Sequence, residues 1–131
     1  MLPAPTLKRI AVARLRDAQA LLKAKRFDGA CYICGYAVEM ALKARICRTL
    51  KWSGFPEQDH EFHGLSSFKI HKLQILLRLS GRDDFVKAKL LADWSNVMKW
   101  VPESRYKPPG SATKQAAEDM LRSAAVILKK L

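Results

Sequence analysis

The stretch ACYICGYAVEMALKARIC, residues 30–47, constrains this chain more than any other. Small residues (Ala30, Cys31, Cys34, Gly35, Ala37, Ala41 and Ala44) recur through it at helical spacing, not in the alternation of a strand. Small side chains let helices approach closely. A glycine inside a helix costs roughly 1 kcal/mol relative to alanine, so Gly35 predicts tight packing against a neighbour. A chain organised around such a helix is a helix bundle.

The flanking sequence carries the same period. Thr6 is the expected cap of a first helix, LKRIAVARLRDAQALLKAK, in which Leu7, Ile10, Ala11, Arg14, Leu15, Ala18, Leu21 and Leu22 recur with helical spacing. The short link RFDG turns the chain back, and Asp28 is the expected cap of the second helix, Gly29 to Leu50. Gly54, Pro56 and Gly64 break the irregular segment KWSGFPEQDHEFHGLSS. Ser66 or Ser67 then opens a third helix, FKIHKLQILLRLSG, closed by Gly81. Asp83 or Asp84 opens a fourth, which places Phe85, Ala88, Leu91, Trp94 and Met98 on one face and stops at Pro102. VPESRYKPPGS is a second loop, stiffened by Pro108 and Pro109. Residues 113–131 form the last helix, with Ala117, Leu121, Ala124, Ile127 or Leu128, and Leu131 inward. The expected fold is all-α: a single domain, residues 1–131, built as a compact up-and-down bundle of about five helices.

Charge narrows the partners. Twenty-four Lys and Arg against twelve Asp and Glu give a net charge of +12. A domain this basic favours a polyanionic partner such as RNA, DNA, a nucleotide or an acidic protein; the alternative is a soluble surface that is simply basic. The start, MLPAPTLKRI, lacks a signal peptide's apolar core, and no uncharged apolar run approaches the roughly 20 residues that span a bilayer. Three cysteines without a secretion signal point to reduced thiols and a cytoplasmic protein with no membrane partner.

Cys31 and Cys34, with His60 and His63 downstream, have the residue types of a zinc site, which needs four convergent ligands. The two cysteines instead continue the small-residue row, where a free cysteine acts as a small buried hydrophobe. No strand precedes them, as a thioredoxin-type motif requires. No metal ligand or cofactor is assigned.

Three other features carry polar chemistry. Glu39 and Lys43 have the i, i+4 order of a helical ion pair within a notably apolar run. They form either a surface pair or a polar element in a groove or interface. Arg105, Tyr106 and Lys107, near Lys99 and Trp100, suit phosphate contact and base stacking. The structural alternative pairs Arg105 with a bundle carboxylate and packs Tyr106 on Trp100. His71 stands at the start of the third helix, as either a hydrogen-bonded structural residue or a base. No phosphate-binding glycine loop, G-x-S-x-G elbow or carboxylate cluster is present.

RLRDAQALLKAKRFDGACYICGYAVEMALKARIC resembles the first helical hairpin of HEPN domains, with Tyr32, Gly35, Glu39, Leu42, Lys43 and Ala44 in matching places. HKLQILLRLSG looks like the family's next helix, and Trp100 to Tyr106 resembles the segment before its last helix. The resemblance covers nearly the whole chain. It implies a four- or five-helix bundle that commonly dimerises, and a role in RNA-targeting defence or toxin–antitoxin systems. It also implies, for some members, a minimal nucleotidyltransferase as partner. Nuclease members carry an Arg followed, after four to six intervening residues, by a His. Here those places hold Ser53, Gly54 and Phe55 before His60; Pro56, Glu57 and Gln58 before His63; and Gly64, Leu65 and Ser66 before His71. No His follows Arg105. The expected function is therefore a non-catalytic binding module, a basic homodimer engaging RNA or nucleotide phosphates through Glu39, Lys43, Arg105, Tyr106 and Lys107. The alternative is a metal-independent RNase with a non-standard site, in which His71 is the base, Arg105 stabilises charge and Glu39 orients one of them.

Overall fold

The computed structural model describes residues 1–131 and contains six α-helices. These are α1 (Ala4–Lys23), α2 (Phe27–Leu50), α3 (Leu73–Leu79), α4 (Asp83–Lys89), α5 (Leu91–Val97) and α6 (Lys114–Lys130). Short 3-10 turns lie at Asp59–Phe62, Ser66–Phe68 and Pro102–Tyr106. The chain is all-α, as its periodicity requires.

Helix α2 sits at the centre. It touches α1, α3, α6 and the Pro102–Tyr106 turn, and buried residues run round it from Ala30 to Cys47. A helix covered on several sides has no single polar face to offer water, which explains its small, apolar composition. Helix α1 buries Leu7, Ala11, Leu15 and Ala18. Helix α6 buries Ala117, Leu121, Ala124 and Ile127, and its first turn is capped by Thr113, which accepts from the Ala116 N–H at 3.1 Å.

Four boundaries depart from the expected ones. Helix α1 starts at Ala4, ahead of Thr6, because Pro5 fits a first turn where its missing N–H would have no partner. Arg26 is the residue before α2, and Asp28 lies inside the first turn. Helix α3 begins at Leu73, after an irregular lead from Phe68. There the Phe68 ring is held against Trp52 at 4.8 Å between centroids and the His71 ring is drawn to Glu39. The expected fourth helix is two, broken at Leu90 (φ −132°, ψ 30°). The break changes the inward face: Val86, Trp94 and Val97 are buried, whereas Leu91 is 58% exposed and Ala88 is exposed.

The segment between α2 and α3 is tied down by aromatic packing around buried Phe55, which also pairs with Leu2 through two backbone hydrogen bonds of 2.9 and 2.7 Å. Gly81, with φ +73°, closes α3 in the left-handed conformation expected of it.

Candidate functional site

Tyr32, Tyr36, Glu39 and Lys43 follow one another along α2 at spacings of four, three and four, a single line on the helix surface. Glu39 is buried to 1% exposure, far from the usual lot of a carboxylate. Its Oε1 lies 2.8 Å from Nδ1 of His71, and its Oε2 lies 3.5 Å from Nζ of Lys43. A carboxylate only accepts, so His71 donates a hydrogen from Nδ1, and its Nε2 has no partner on a ring whose side chain is 59% exposed. Lys43 also stands 5.2 Å from the centre of the Phe55 ring. Of the two readings of the Glu39–Lys43 pair, the surface one fails.

One turn towards the start of α2, the hydroxyls of Tyr36 and Tyr32 are 3.4 Å apart. That hydrogen bond, with burial and the charges of Tyr32 and Glu39, pushes the Tyr36 hydroxyl up to about 12. It stays protonated near neutrality and serves as a donor, not as a base. Tyr36 meets Trp100 edge to face at 4.8 Å, and Trp100 Nε1 donates to the Tyr32 carbonyl at 3.1 Å. Gly35 permits this contact. A Cβ there would lie 2.0 Å from Trp100 Cδ2.

Beside Trp100 opens a cavity of about 520 Å³, within the usual size of small-molecule sites. Tyr32, Trp100, Lys99, Arg105 and Lys107 contribute to its wall. Its one carboxylate, on Asp28, is already engaged, accepting from the backbone N–H of Gly110 at 2.7 Å and of Ala112 at 2.8 Å. The Ala112 and then the Gly110 bond hold that carboxyl below its usual range. Ser104 Oγ lies in the wall, buried and without a partner.

The structure thus divides the residues singled out in the sequence. Glu39, His71 and Lys43 meet. Arg105 and Lys107 belong to the cavity, and Tyr106 projects beside it with 76% exposure. Arg105 Nη1 donates to the Pro102 carbonyl at 2.9 Å, and its guanidinium lies 4.6 Å from the Tyr106 ring centre. The structural alternative for this loop fails on both counts. Arg105 forms no ion pair, and the ring on Trp100 is that of Tyr36. Tyr32, Lys99 and Trp100 complete the site. Their signal in the sequence was the i, i+4 tyrosine pair and the nearness of Lys99 to the ESRYKPPG loop.

All three cysteines are free, with Cys34 and Cys47 in the core. Burial pushes the Cys34 thiol up to about 12, which removes its thiolate chemistry at neutral pH. His60 and His63 are exposed. No cluster of three or more His, Cys, Asp or Glu side chains is gathered to hold a metal ion.

A helical domain organised round one polar line on its central helix, with a basic cavity at one end, is the class of protein these features define. The HEPN domain family model matches residues 4–131, and the chain belongs to the HEPN domain family. It matches no curated protein and no solved structure. No helix is long and apolar enough to cross a membrane.

Proposed function

We propose that this chain is a non-catalytic HEPN binding module that engages RNA or nucleotide phosphates as a homodimer. Its setting would be a toxin–antitoxin or defence system, with a nucleotidyltransferase as protein partner. The observation that carries this reading is the cavity: Lys99, Arg105 and Lys107 surround it while its only carboxylate is committed to backbone N–H groups. Cations without counter-ions favour phosphate, half-buried Tyr32 offers aromatic surface to a base, and the unpartnered Ser104 hydroxyl can meet a ligand oxygen. Tyr106 beside Arg105 extends the aromatic surface outward. Glu39 and Lys43 lie on the next turns of α2, where Glu39 holds His71.

The dimer rests on family membership. Trp94 and Trp100, which as large aromatics would suit an interface, are buried inside one chain at 3% and 7% exposure, and the small-residue side of α2 is likewise consumed by its own neighbours. Light scattering at micromolar concentration should give the mass of two chains; the mass of one would refute the dimer.

The test of the binding reading is a native-gel titration of single-stranded RNA over a range of salt. Affinity should fall steeply as salt rises, and the triple variant Lys99→Gln, Arg105→Gln, Lys107→Gln should flatten the slope by about two to three phosphate contacts. An unchanged slope would sink it.

One observation favours the RNase alternative: the buried Glu39 orients the His71 ring through Nδ1 and leaves Nε2 without a partner, on the side where a general base would have to act. End-labelled RNA incubated in EDTA decides between the two. Intact RNA is expected. Shortening that disappears in His71→Ala would establish the RNase instead.

A further inference from the structure

At the other end of α2 the structure gathers a second set of cations that the cavity beside Trp100 does not use. Arg45 and Arg48 project from α2 towards the end of α6, where Lys129 and Lys130 lie, and Lys8 joins them from α1 around a cavity of about 310 Å³. No acidic side chain contributes to its wall. Arg82, in the turn before α4, approaches the same end of α6. None of these cations forms an ion pair with an acidic side chain anywhere in the chain.

Their bonding is incomplete. Arg45 Nη1 and Arg48 Nη1 both donate to the Leu131 carbonyl, at 3.3 and 3.4 Å, and Arg82 Nη2 donates to the Lys130 carbonyl at 3.2 Å. A guanidinium has five N–H donors in a rigid fork, so most are left over. Arg45 Nε and Arg82 Nε are buried with no partner. Arg82 gains partial compensation from the Phe85 ring, 4.0 Å away. Arg45 has none, and burial together with the charges of Arg48 and Arg82 draws its guanidinium below the ordinary value. The carbonyls at the end of α6 attract cations through the helix dipole, an effect worth about 1 kcal/mol or less and too weak to balance so many charges. A terminal carboxylate on Leu131 would balance one of them.

We propose that this end of the bundle is a phosphate-binding site, built by Arg45 and Arg48 with Lys8, Lys129 and Lys130, and separate from the cavity beside Trp100. A phosphate group supplies oxygens that match a guanidinium fork two at a time, and it supplies negative charge that no side chain of this wall provides. The two places do not merge. The last α2 residue in the first cavity is Tyr32 and the first in the second is Ala41, roughly 14 Å apart along the helix axis at 1.5 Å per residue. The phosphate can be carried by a small phosphorylated compound or by an RNA backbone.

The experiment is a nitrogen-15 NMR titration of the full chain that follows the arginine Nε–H signals, once with inorganic pyrophosphate and once with short single-stranded RNA, at low salt. Arg45 and Arg48 signals should move. The exposed pair Lys129→Gln, Lys130→Gln should weaken that response by about tenfold or more without loss of fold. The pair Arg105→Gln, Lys107→Gln should leave it unchanged. Movement with pyrophosphate assigns the site to free phosphates; movement with RNA alone assigns it to the backbone. Silence at Arg45 and Arg48 with both probes overturns the proposal. Equal loss in the Arg105, Lys107 variant overturns the separateness of the two sites.

Discussion

A single methyl group at position 35 is the sharpest probe of how α2 meets the rest of the bundle. Gly35→Ala drives a Cβ into the Trp100 ring, which is itself fixed by its bond to the Tyr32 carbonyl. We expect a loss of about 2–3 kcal/mol in urea unfolding, and a loss in Gly35→Ala, Trp100→Ala smaller than the sum of the two single losses. Glu39 is the second informative residue. Glu39→Ala strands Lys43 against Phe55 and frees the His71 ring, for a cost of about 2 kcal/mol. Glu39→Gln keeps an acceptor and should cost less. At this scale the sequence was legible where local spacing decides. Small residues placed Gly35 and the cysteines in contact surfaces, and an isolated carboxylate in an apolar run marked Glu39. Which of His71 and Arg105 it would orient was not legible, because a bond across 32 residues depends on how α3 docks.

Among the elements, the end of α2 carries a correctable weakness. Lys51 holds φ at 56°, the left-handed conformation in which an L side chain is strained by roughly 1–2 kcal/mol. Lys51→Gly removes the strain but adds freedom to the unfolded chain, so a net gain of about 0.5 kcal/mol is expected, read as a higher midpoint in thermal melts. Helices α1, α2 and α6 were readable from periodicity to within a few residues, although neither Thr6 nor Asp28 caps its helix. The break at Leu90 was not. Neither glycine nor proline marks it, and the apolar period continues through it. Which of two overlapping apolar faces turns inward is settled by the helices already in place, here by burying Val86, Trp94 and Val97.

For the molecule as a whole, acid is the expected weakness. Four carboxyls, exposed on Asp28 and Asp59 and half-buried on Glu61 and Asp119, are held below their ordinary values in the fold. Backbone N–H groups of Ala112 and Gly110 act on Asp28, Lys69 acts on Asp59, and Arg122 acts on Asp119. The Glu57 N–H, with the chain's amino group, brings Glu61 to about 2. Each such group binds its proton less readily folded than unfolded. Its contribution is complete above the unfolded values of 3.8 to 4.5 and drains away as pH falls through the lowered folded value, which is about 2 for Glu61. Titrating all twelve acidic residues also leaves a strongly cationic chain to repel itself. Melting temperature should hold from neutrality to about pH 5 and fall below it, and added salt should reduce the drop. A curve flat down to pH 2 would refute the assignment. The basic balance was evident in the sequence, but its division between two ends of α2 was not, because charge counts carry no positions in space.

The Asp28 staple also bears on the order in which the chain assembles. Its two bonds, to Gly110 and Ala112, join positions 82 and 84 residues apart, and the Trp100 bond to Tyr32 spans 68. The α1–α2 hairpin, by contrast, closes through neighbours in sequence and can form early. We therefore expect the cavity to be completed late in folding and to open before the hairpin does. Amide exchange at Gly110 and Ala112 should outpace that of the α2 interior under native conditions, with the wall of the cavity opening while the hairpin beneath it stays closed.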